Sequence, residues 1–295
     1  YRTDIVEEYG LEIPSTWEDY YDLIPVLQKY SMEIGAPAIA ATTKVITGTQ
    51  IVGLSASQFT QSDFFGPPVE YWLYQMGGTK YKNGGREVNF DSELYLELFS
   101  KMNDFYTLYK CPIVYDAQNR FKSGEMPFIY GTMITWTSLS VNCPEITGLW
   151  TMAPYPGVEN DGGSINNVIT PMVTYSVILA DAANKDNAWT FIQWWTDASA
   201  QETYGREYES VTGQTAKYAS ANTEAFASAP WTAAELEVLT SQLQNLRPVE
   251  VCVGDYLSLR YLQFAQNEVI VDGSSNSTGI ESILSHIREM NNCIE

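Results

Sequence analysis

Residues 1–29 read YRTDIVEEYGLEIPSTWEDYYDLIPVLQK, two helix starts separated by a stop. Thr3 or Asp4 is placed to cap a short first helix, Gly10 to end it, and Pro14 to bar its continuation. Ser15-Thr16-Trp17-Glu18 has the spacing of a capping box, in which hydroxyl and carboxylate satisfy each other's orphan backbone amides. Leu23, Val26 and Leu27 give the second helix an apolar face, and Pro25 predicts a kink inside it.

Outward from this start, strand-like and helical stretches alternate. APAIAATTKVITGTQIVGLSAS (36–57) is small, β-branched and punctuated by glycine, which suits one or two strands and a loop. DFFGPPVEYWLYQMGGTKYKNGGREVNF (63–90) predicts a short aromatic helix ending at Gly77-Gly78, then a hairpin turned at Asn83-Gly84-Gly85. Asp91 or Ser92 caps a long helix with Leu94, Leu96, Leu98, Phe99, Met102 and Phe105 on its buried side, and a further helix ends at Ser123-Gly124. A buried strand stopping at Gly131, a helix from about Thr135, and strands over 148–156 and 164–180 follow. Asn184 caps the next helix and Asp197 the one after it. Thr232/Glu235 and Thr278/Glu281 read as two more capping boxes, with a helix between them from about Asp255. The pattern is α/β or α+β with a helical C-terminus.

Composition removes several function classes. The 295 residues allow two lobes or one large domain, and 45% hydrophobic residues supply real cores. With 16 Lys and Arg against 36 Asp and Glu, the net charge of −20 repels nucleic-acid backbones and anionic lipid. No apolar run reaches the ~18 residues of a membrane span. Cys111, Cys143, Cys252 and Cys293 form no C-x-x-C and suggest neither zinc nor a redox motif; four thiols are the reading taken, two disulfides the alternative. There is one histidine, His286, on the last helix, where packing is its ordinary role. Nucleophile-elbow, zinc-protease, P-loop and dinucleotide motifs are absent from the sequence. Carboxylate pairs such as Glu18/Asp19 or Glu207/Glu209 have no specificity among 36 acids.

The aromatics say more: 20 Tyr, 8 Trp and 11 Phe make 13% of the chain. Pro67-Pro68-Val69-Glu70-Tyr71-Trp72 puts rings and a carboxylate at a loop-to-helix junction. Trp136 follows the Gly131 strand end, and Tyr256, Arg260 and Tyr261 lie at a helix start. A sugar has apolar C–H faces and hydroxyl rims, so its site needs ring platforms beside carboxylates, amides or arginine. Half-buried core packing is the competing role for each ring.

Five stretches together resemble one family. YRTDIVEEYGLEIPSTWEDYYDLIPVLQK is similar to the Y-N-K-D-L…P-x-T-W-[DE]-E segment of extracellular solute-binding proteins of the sugar-binding class, relatives of maltose-binding protein. RFKSGEMPFIYGTMITWTSLS (120–140) resembles the F-x-x-G-x-A-M-x-x-x-G-x-W segment, and GLWTMAPYPG (148–157) the G-x-x-x-x-P-x-P-G strand and loop. NKDNAWTFIQWWTDASAQETYG (184–205) is similar to the family's N-K-E-x-A-W helix pair, and 256–292 to its terminal helices.

The resemblance implies a type II periplasmic-binding-protein fold of the α/β class. It implies a C-terminal lobe over 1–169, a segment over 170–214 returning to an incomplete N-terminal lobe, and helices over 215–295 packing on the C-terminal lobe. An export signal and most of the first lobe are expected outside the sequence, and the apolar groups of 170–214 are expected to lack cover. The implied function is capture of a sugar or oligosaccharide at the cell surface or in the periplasm, by a lipoprotein or soluble receptor, and delivery to an ABC transporter permease by hinge closure. No catalysis, cofactor, nucleic acid or membrane span is expected; a secreted glycoside hydrolase and a non-transport interaction domain are the alternatives. The implied ligand contacts are Phe65, Pro67, Glu70 and Tyr71 before the Gly77-Gly78 pair, and Thr135 and Trp136 at the stacking position, where relatives carry G-x-W. Tyr256 with Arg260 opens the penultimate helix, and Asn166 and Asn167 lie near the hinge.

Overall fold

The computed structural model describes residues 1–33, 67–109, 117–171, 173–213 and 217–294. Helix α1 (Thr3–Tyr9) starts behind Arg2, whose side chain grips Asp4 (Nε–Oδ1 2.8 Å, Nη2–Oδ2 2.6 Å) and the Phe121 and Lys122 carbonyls. The helix therefore begins one residue earlier than a Thr3 cap requires and two earlier than an Asp4 cap requires. Gly10 ends it at φ +59°, in the left-handed region that glycine enters without steric cost.

Helix α2 (Trp17–Glu33) is started by a box one residue displaced from Ser15/Glu18. The Asp19 carboxylate accepts from the Ser15 and Thr16 amides at 2.9 and 2.8 Å, and Thr16 Oγ1 accepts from the Asp19 amide at 3.1 Å. Ser15 and Thr16 each have an acid three residues on, so local sequence permits both boxes; the start at Trp17 selects Thr16. The buried face is Trp17, Tyr20, Leu23, Ile24 and Leu27, while Val26 is exposed. Pro25 lies inside the helix.

Helix α3 (Pro67–Gln75) leads to the hairpin β1 (Tyr81–Lys82) and β2 (Glu87–Val88), paired Tyr81 to Val88. Asn83 has φ +53° at the turn, as a tight hairpin demands. Ser92 caps α4 (Glu93–Thr107), which buries Leu98, Phe99, Met102 and Phe105 and leaves Leu94 and Leu96 half-buried. Next come α5 (Ala117–Ser123), α6 (Met133–Asn142), a 3-10 turn at Pro144–Ile146, and the hairpin β3 (Val158–Glu159) and β4 (Ile165–Asn166). Helices α7 (Lys185–Trp195), α8 (Ala198–Thr212), α9 (Thr223–Ser228), α10 (Ala233–Gln244), α11 (Asp255–Ile270) and α12 (Asn276–Asn292) follow. Ser275, not Thr278, caps α12. The fold is a helix-rich α/β architecture with twelve helices among the described residues. The chain around 126–131, 148–153 and 173–180 forms no multi-residue ladder among the described residues. Arg2 bridges to Trp150, Thr16 to Gly157, and Ile169 to Leu246, as single bridges.

Two compact units result. The first comprises Tyr1–Tyr130, Gly148–Thr170 and Ser241–Glu295; the second Gly131–Thr147 and Pro171–Thr240. These lines fall at different places from the 1–169, 170–214 and 215–295 segments, since 131–147 and 215–240 group with 171–213. In the first unit Trp17 stacks on Trp72 at 5.1 Å, and Tyr21 on Phe105 at 4.8 Å. Gly279 permits α12 to close on α11 and α4: a Cβ there would lie 2.7 Å from Val269 and 2.8 Å from Phe99. The Gln75 amide joins four segments, accepting from Trp17 Nε1 (2.6 Å) and donating to the Pro156 (3.0 Å) and Val168 (3.2 Å) carbonyls.

The second unit is held by Gln201, whose Nε2 donates to the Trp195 carbonyl (2.6 Å) and whose Oε1 accepts from Ser220 (2.9 Å). Its helix α7 buries no residue: Trp189, Phe191 and Trp194 are each more than half exposed, as are Tyr175, Val177 and Leu179. This is a large apolar surface for one compact unit.

Two substitutions separate these environments. Gln75→Leu keeps the volume but strands an indole N–H and two carbonyls, and is expected to cost about 2–4 kcal/mol. Trp189→Ser, on the exposed helix, is expected to change stability by less than about 0.5 kcal/mol while reducing binding of a hydrophobic dye. Denaturant midpoints with unchanged slopes check both.

Candidate functional site

The described sequence-predicted residues are divided between the two units, Thr135 and Trp136 in the second and the rest in the first. In the first, α3 carries Glu70 and Tyr71 on successive positions and is buried along most of its length. Tyr71 is 5% exposed; its hydroxyl donates to the Thr170 carbonyl at 3.2 Å, and its ring meets Tyr155 edge-on at 5.5 Å. Burial, opposed by the Thr170 bond and reinforced by Glu70, pushes its pKa up to about 12, so the phenol stays neutral. Tyr155 in turn stacks on Tyr130 at 5.3 Å.

Glu70 faces the buried ammonium of Lys80 at 3.2 Å, and the same ammonium lies 3.6 Å from Asp255 Oδ1. Tyr81 donates its hydroxyl proton to Asp255. The Lys80 amide donates to Glu250 Oε2 (2.7 Å), whose other oxygen takes Arg247 Nη2 at 2.7 Å, and that guanidinium covers the Tyr74 ring at 4.0 Å. Glu70 is thus committed to a charge network joining α3, the β1 approach and the first turn of α11. Burial raises the Asp255 pKa, with Lys80 opposing it.

Asn166 donates to the Gln75 carbonyl at 2.7 Å, and the Asn167 carbonyl accepts from Gln242 at 3.0 Å. Asn166 also lines an open depression of about 550 Å³ with Gln75, Met76, Glu159, Asn160 and Asp161. Tyr256 is 70% exposed on α11, its hydroxyl accepting from Arg260 at 3.4 Å, while the Arg260 guanidinium sits 5.5 Å from the Phe264 ring. Pro67 opens α3, and Phe65 lies outside the described residues.

In the second unit, Thr135 Oγ1 accepts from the Thr132 amide at 3.2 Å and starts α6. Gly131 is required beside it, because a Cβ there would come 2.8 Å from the Thr135 Cβ. Trp136, half-buried, donates Nε1–H to Glu235 Oε1 at 3.1 Å and meets Trp231 edge-on at 5.6 Å. Lys217 lies 3.2 Å from Glu235 Oε2 and over both indoles, 4.6 Å from the Trp136 centroid and 4.5 Å from the Trp231 centroid. Glu235 also closes the Thr232 capping box of α10, its carboxylate accepting from the Thr232 amide at 2.8 Å. Burial pushes the Glu235 pKa up, but the Thr232 amide and Lys217 outweigh it and the net shift is downward. Sequence reasoning named Trp136 and the Thr232/Glu235 box separately; Lys217 and Trp231, their common partners, carry no local signal.

Comparison with protein families matches residues 1–202 to the bacterial extracellular solute-binding protein model. Comparison with curated proteins finds no match. Among solved structures, the sugar-binding protein MalE of Xanthomonas citri aligns with a TM-score of 0.65 and 14% identity over 99% of this chain and 67% of its own. An ABC transporter solute-binding protein of Thermotoga lettingae bound with α-D-tagatose gives 0.62 and 14% over 99% and 69%. Maltose-bound MalE3 of T. maritima gives 0.60 and 18% over 98% and 69%.

The charge network makes its own prediction. Because burial holds the Asp255 pKa above its unfolded value, ionising that group costs the folded state, and stability falls as pH rises through its titration. Lys80→Met removes the compensating cation and should steepen that fall, costing on the order of 3 kcal/mol near neutral pH and less once the carboxyls are protonated. Denaturation of both proteins across pH 3–7 measures it, on roughly the range in which carboxyls titrate. A deficit independent of pH would assign Lys80 to packing alone.

Proposed function

We propose that this chain, which belongs to the bacterial extracellular solute-binding protein family, captures an uncharged sugar or oligosaccharide outside the cytoplasm and presents it to an ABC transporter permease. The carrying observation is the setting of Trp136: a half-buried indole whose N–H is bonded to Glu235 and whose neighbouring cation, Lys217, is neutralised by the same carboxylate. Such a ring offers a ligand stacking and little charge, the chemistry that a pyranose face needs. Solved relatives hold tagatose and maltose, which supports the carbohydrate class without naming this chain's sugar. Hinge closure, the 170–214 return to a first lobe, and residence in the periplasm or on a lipid anchor are parts of the same proposal.

Phe65, Pro67, Thr135, Asn166, Asn167, Tyr256 and Arg260 remain the proposed ligand contacts beside Trp136. Exposed Tyr256 with Arg260 offers a ring edge and a donor. Glu70 and Tyr71 serve by fixing α3, since their polar groups are held by Lys80 and Thr170. The reading requires no bond cleavage.

Calorimetric titration of the complete native polypeptide with maltose, maltotriose and tagatose tests the proposal. Binding without release of new reducing ends is expected, and Trp136→Ala should weaken it by about 2 kcal/mol, roughly 30-fold. Unchanged affinity in a folded Trp136→Ala protein removes the stacking role. Sugar cleavage would move the protein to the glycoside hydrolases.

A further inference from the structure

We infer that Lys217 is a positioning residue, an internal cation that fills the Trp136–Trp231 aromatic cage and fixes the Trp136 indole for stacking on a neutral ligand. The inference rests on the carbohydrate reading for its ligand and on geometry for everything else. The ammonium lies 4.6 and 4.5 Å from the two ring centroids, within the range of strong cation–π attraction, and its side chain is only 7% exposed. Glu235 anchors it at 3.2 Å and takes the Trp136 N–H with its other oxygen. Trp231 is fixed separately, since its Nε1 donates to the Phe226 carbonyl at 2.8 Å. Both indole donors are therefore spent inside the unit, and a ligand meets these rings through their apolar carbons.

The arrangement also sets specificity. An aromatic cage beside a carboxylate is the environment that recognises an ammonium group, and here the chain supplies that ammonium itself. A cationic amino sugar finds the cage filled. A uronate finds a lysine whose charge Glu235 already balances. A neutral pyranose needs neither and stacks.

The test uses the full chain with Lys217→Met, Lys217→Arg and Lys217→Ala, each confirmed folded by far-ultraviolet dichroism. The difference in near-ultraviolet dichroism between each variant and wild type, over the unchanged contribution of the other tryptophans, reads the geometry of the Trp136–Trp231 pair. Lys217→Met and Lys217→Ala should lose the wild-type spectrum and Lys217→Arg keep it. Propylammonium should restore the spectrum of Lys217→Ala, whereas 1-propanol, of the same size without the charge, should not. Titration with maltotriose should be about tenfold weaker for Lys217→Met and within about threefold for Lys217→Arg. A wild-type spectrum in Lys217→Met, or equal rescue by 1-propanol, overturns the positioning role. Failure of the wild-type chain to bind maltotriose counts against the carbohydrate reading, while the spectral arm decides the role of Lys217 by itself.

Discussion

The side-chain amide of Gln75 is spent entirely inside the first unit, and the geometry of that unit follows from it. One oxygen takes the Trp17 indole proton and one nitrogen reaches the Pro156 and Val168 carbonyls, while the Gln75 backbone carbonyl accepts from Asn166. Helix α3 is buried from Val69 to Gln75 except at half-buried Glu70, so every polar group on it needs an internal partner or carries a desolvation penalty. Tyr71, one turn before Gln75, meets that requirement at Thr170, and Glu70 meets it with one oxygen at Lys80, while Glu70 Oε1 and the Tyr74 hydroxyl are buried without a hydrogen-bond partner among the described residues. Gln75, Tyr71 and Glu70 tie the helix at three side chains and so hold its register. That register sets the start of α2 as well, because Trp17 must reach both Gln75 and the Trp72 ring.

What was legible in the sequence is what local physics decides. Ser92, Asn184 and Asp197 cap the helices they precede, and Thr232 with Glu235 closes its box, because each bond spans at most three residues. The displaced box at Thr16/Asp19 and the cap at Ser275 show the limit: several polar residues had acceptable spacing, and packing chose among them. Of the strands read from the sequence, 36–57 lies outside the described residues, 164–180 contains β4 at Ile165–Asn166, and those ending at Gly131 and over 148–156 form no multi-residue ladder, for a related reason. An apolar, β-branched run gives extended backbone, but a ladder also needs a neighbour, and the described residues supply only single bridges and two short hairpins. The family was legible on a larger scale, where the first four of the five ordered motifs fall in or at the end of the match over residues 1–202.

The candidate site was legible by residue type and not by partnership. Trp136 stood out because a ring followed a glycine-ended strand pattern, yet its environment is made by Lys217, Trp231 and Glu235, distant in sequence. Glu70 stood out as a carboxylate beside rings, yet the structure turns it to Lys80 and places Asp255 on the other side of that ammonium. A carboxylate that is to meet a ligand and one that balances a buried cation look alike in one dimension. Only the contact map separates them.

The net charge of −20 acquires a more specific meaning from these contacts. Arg2, Lys80, Lys217 and Arg247 each lie beside a carboxylate at 2.6–3.2 Å, at Asp4, Glu70, Glu235 and Glu250. Those cations are consumed in joining segments and in holding rings, so they add little attraction for an anionic ligand, and the surplus acids set the long-range field. Such a surface penalises the approach of an anionic ligand. A neutral polyol pays no such penalty, and its recognition then depends on ring faces and exposed amide or hydroxyl groups. The Trp136 indole, held by Glu235, and the exposed Tyr256–Arg260 pair are groups of that chemistry, each described within its own compact unit. The same economy of cations that joins segments within each unit is thus what makes a neutral ligand the proposed class.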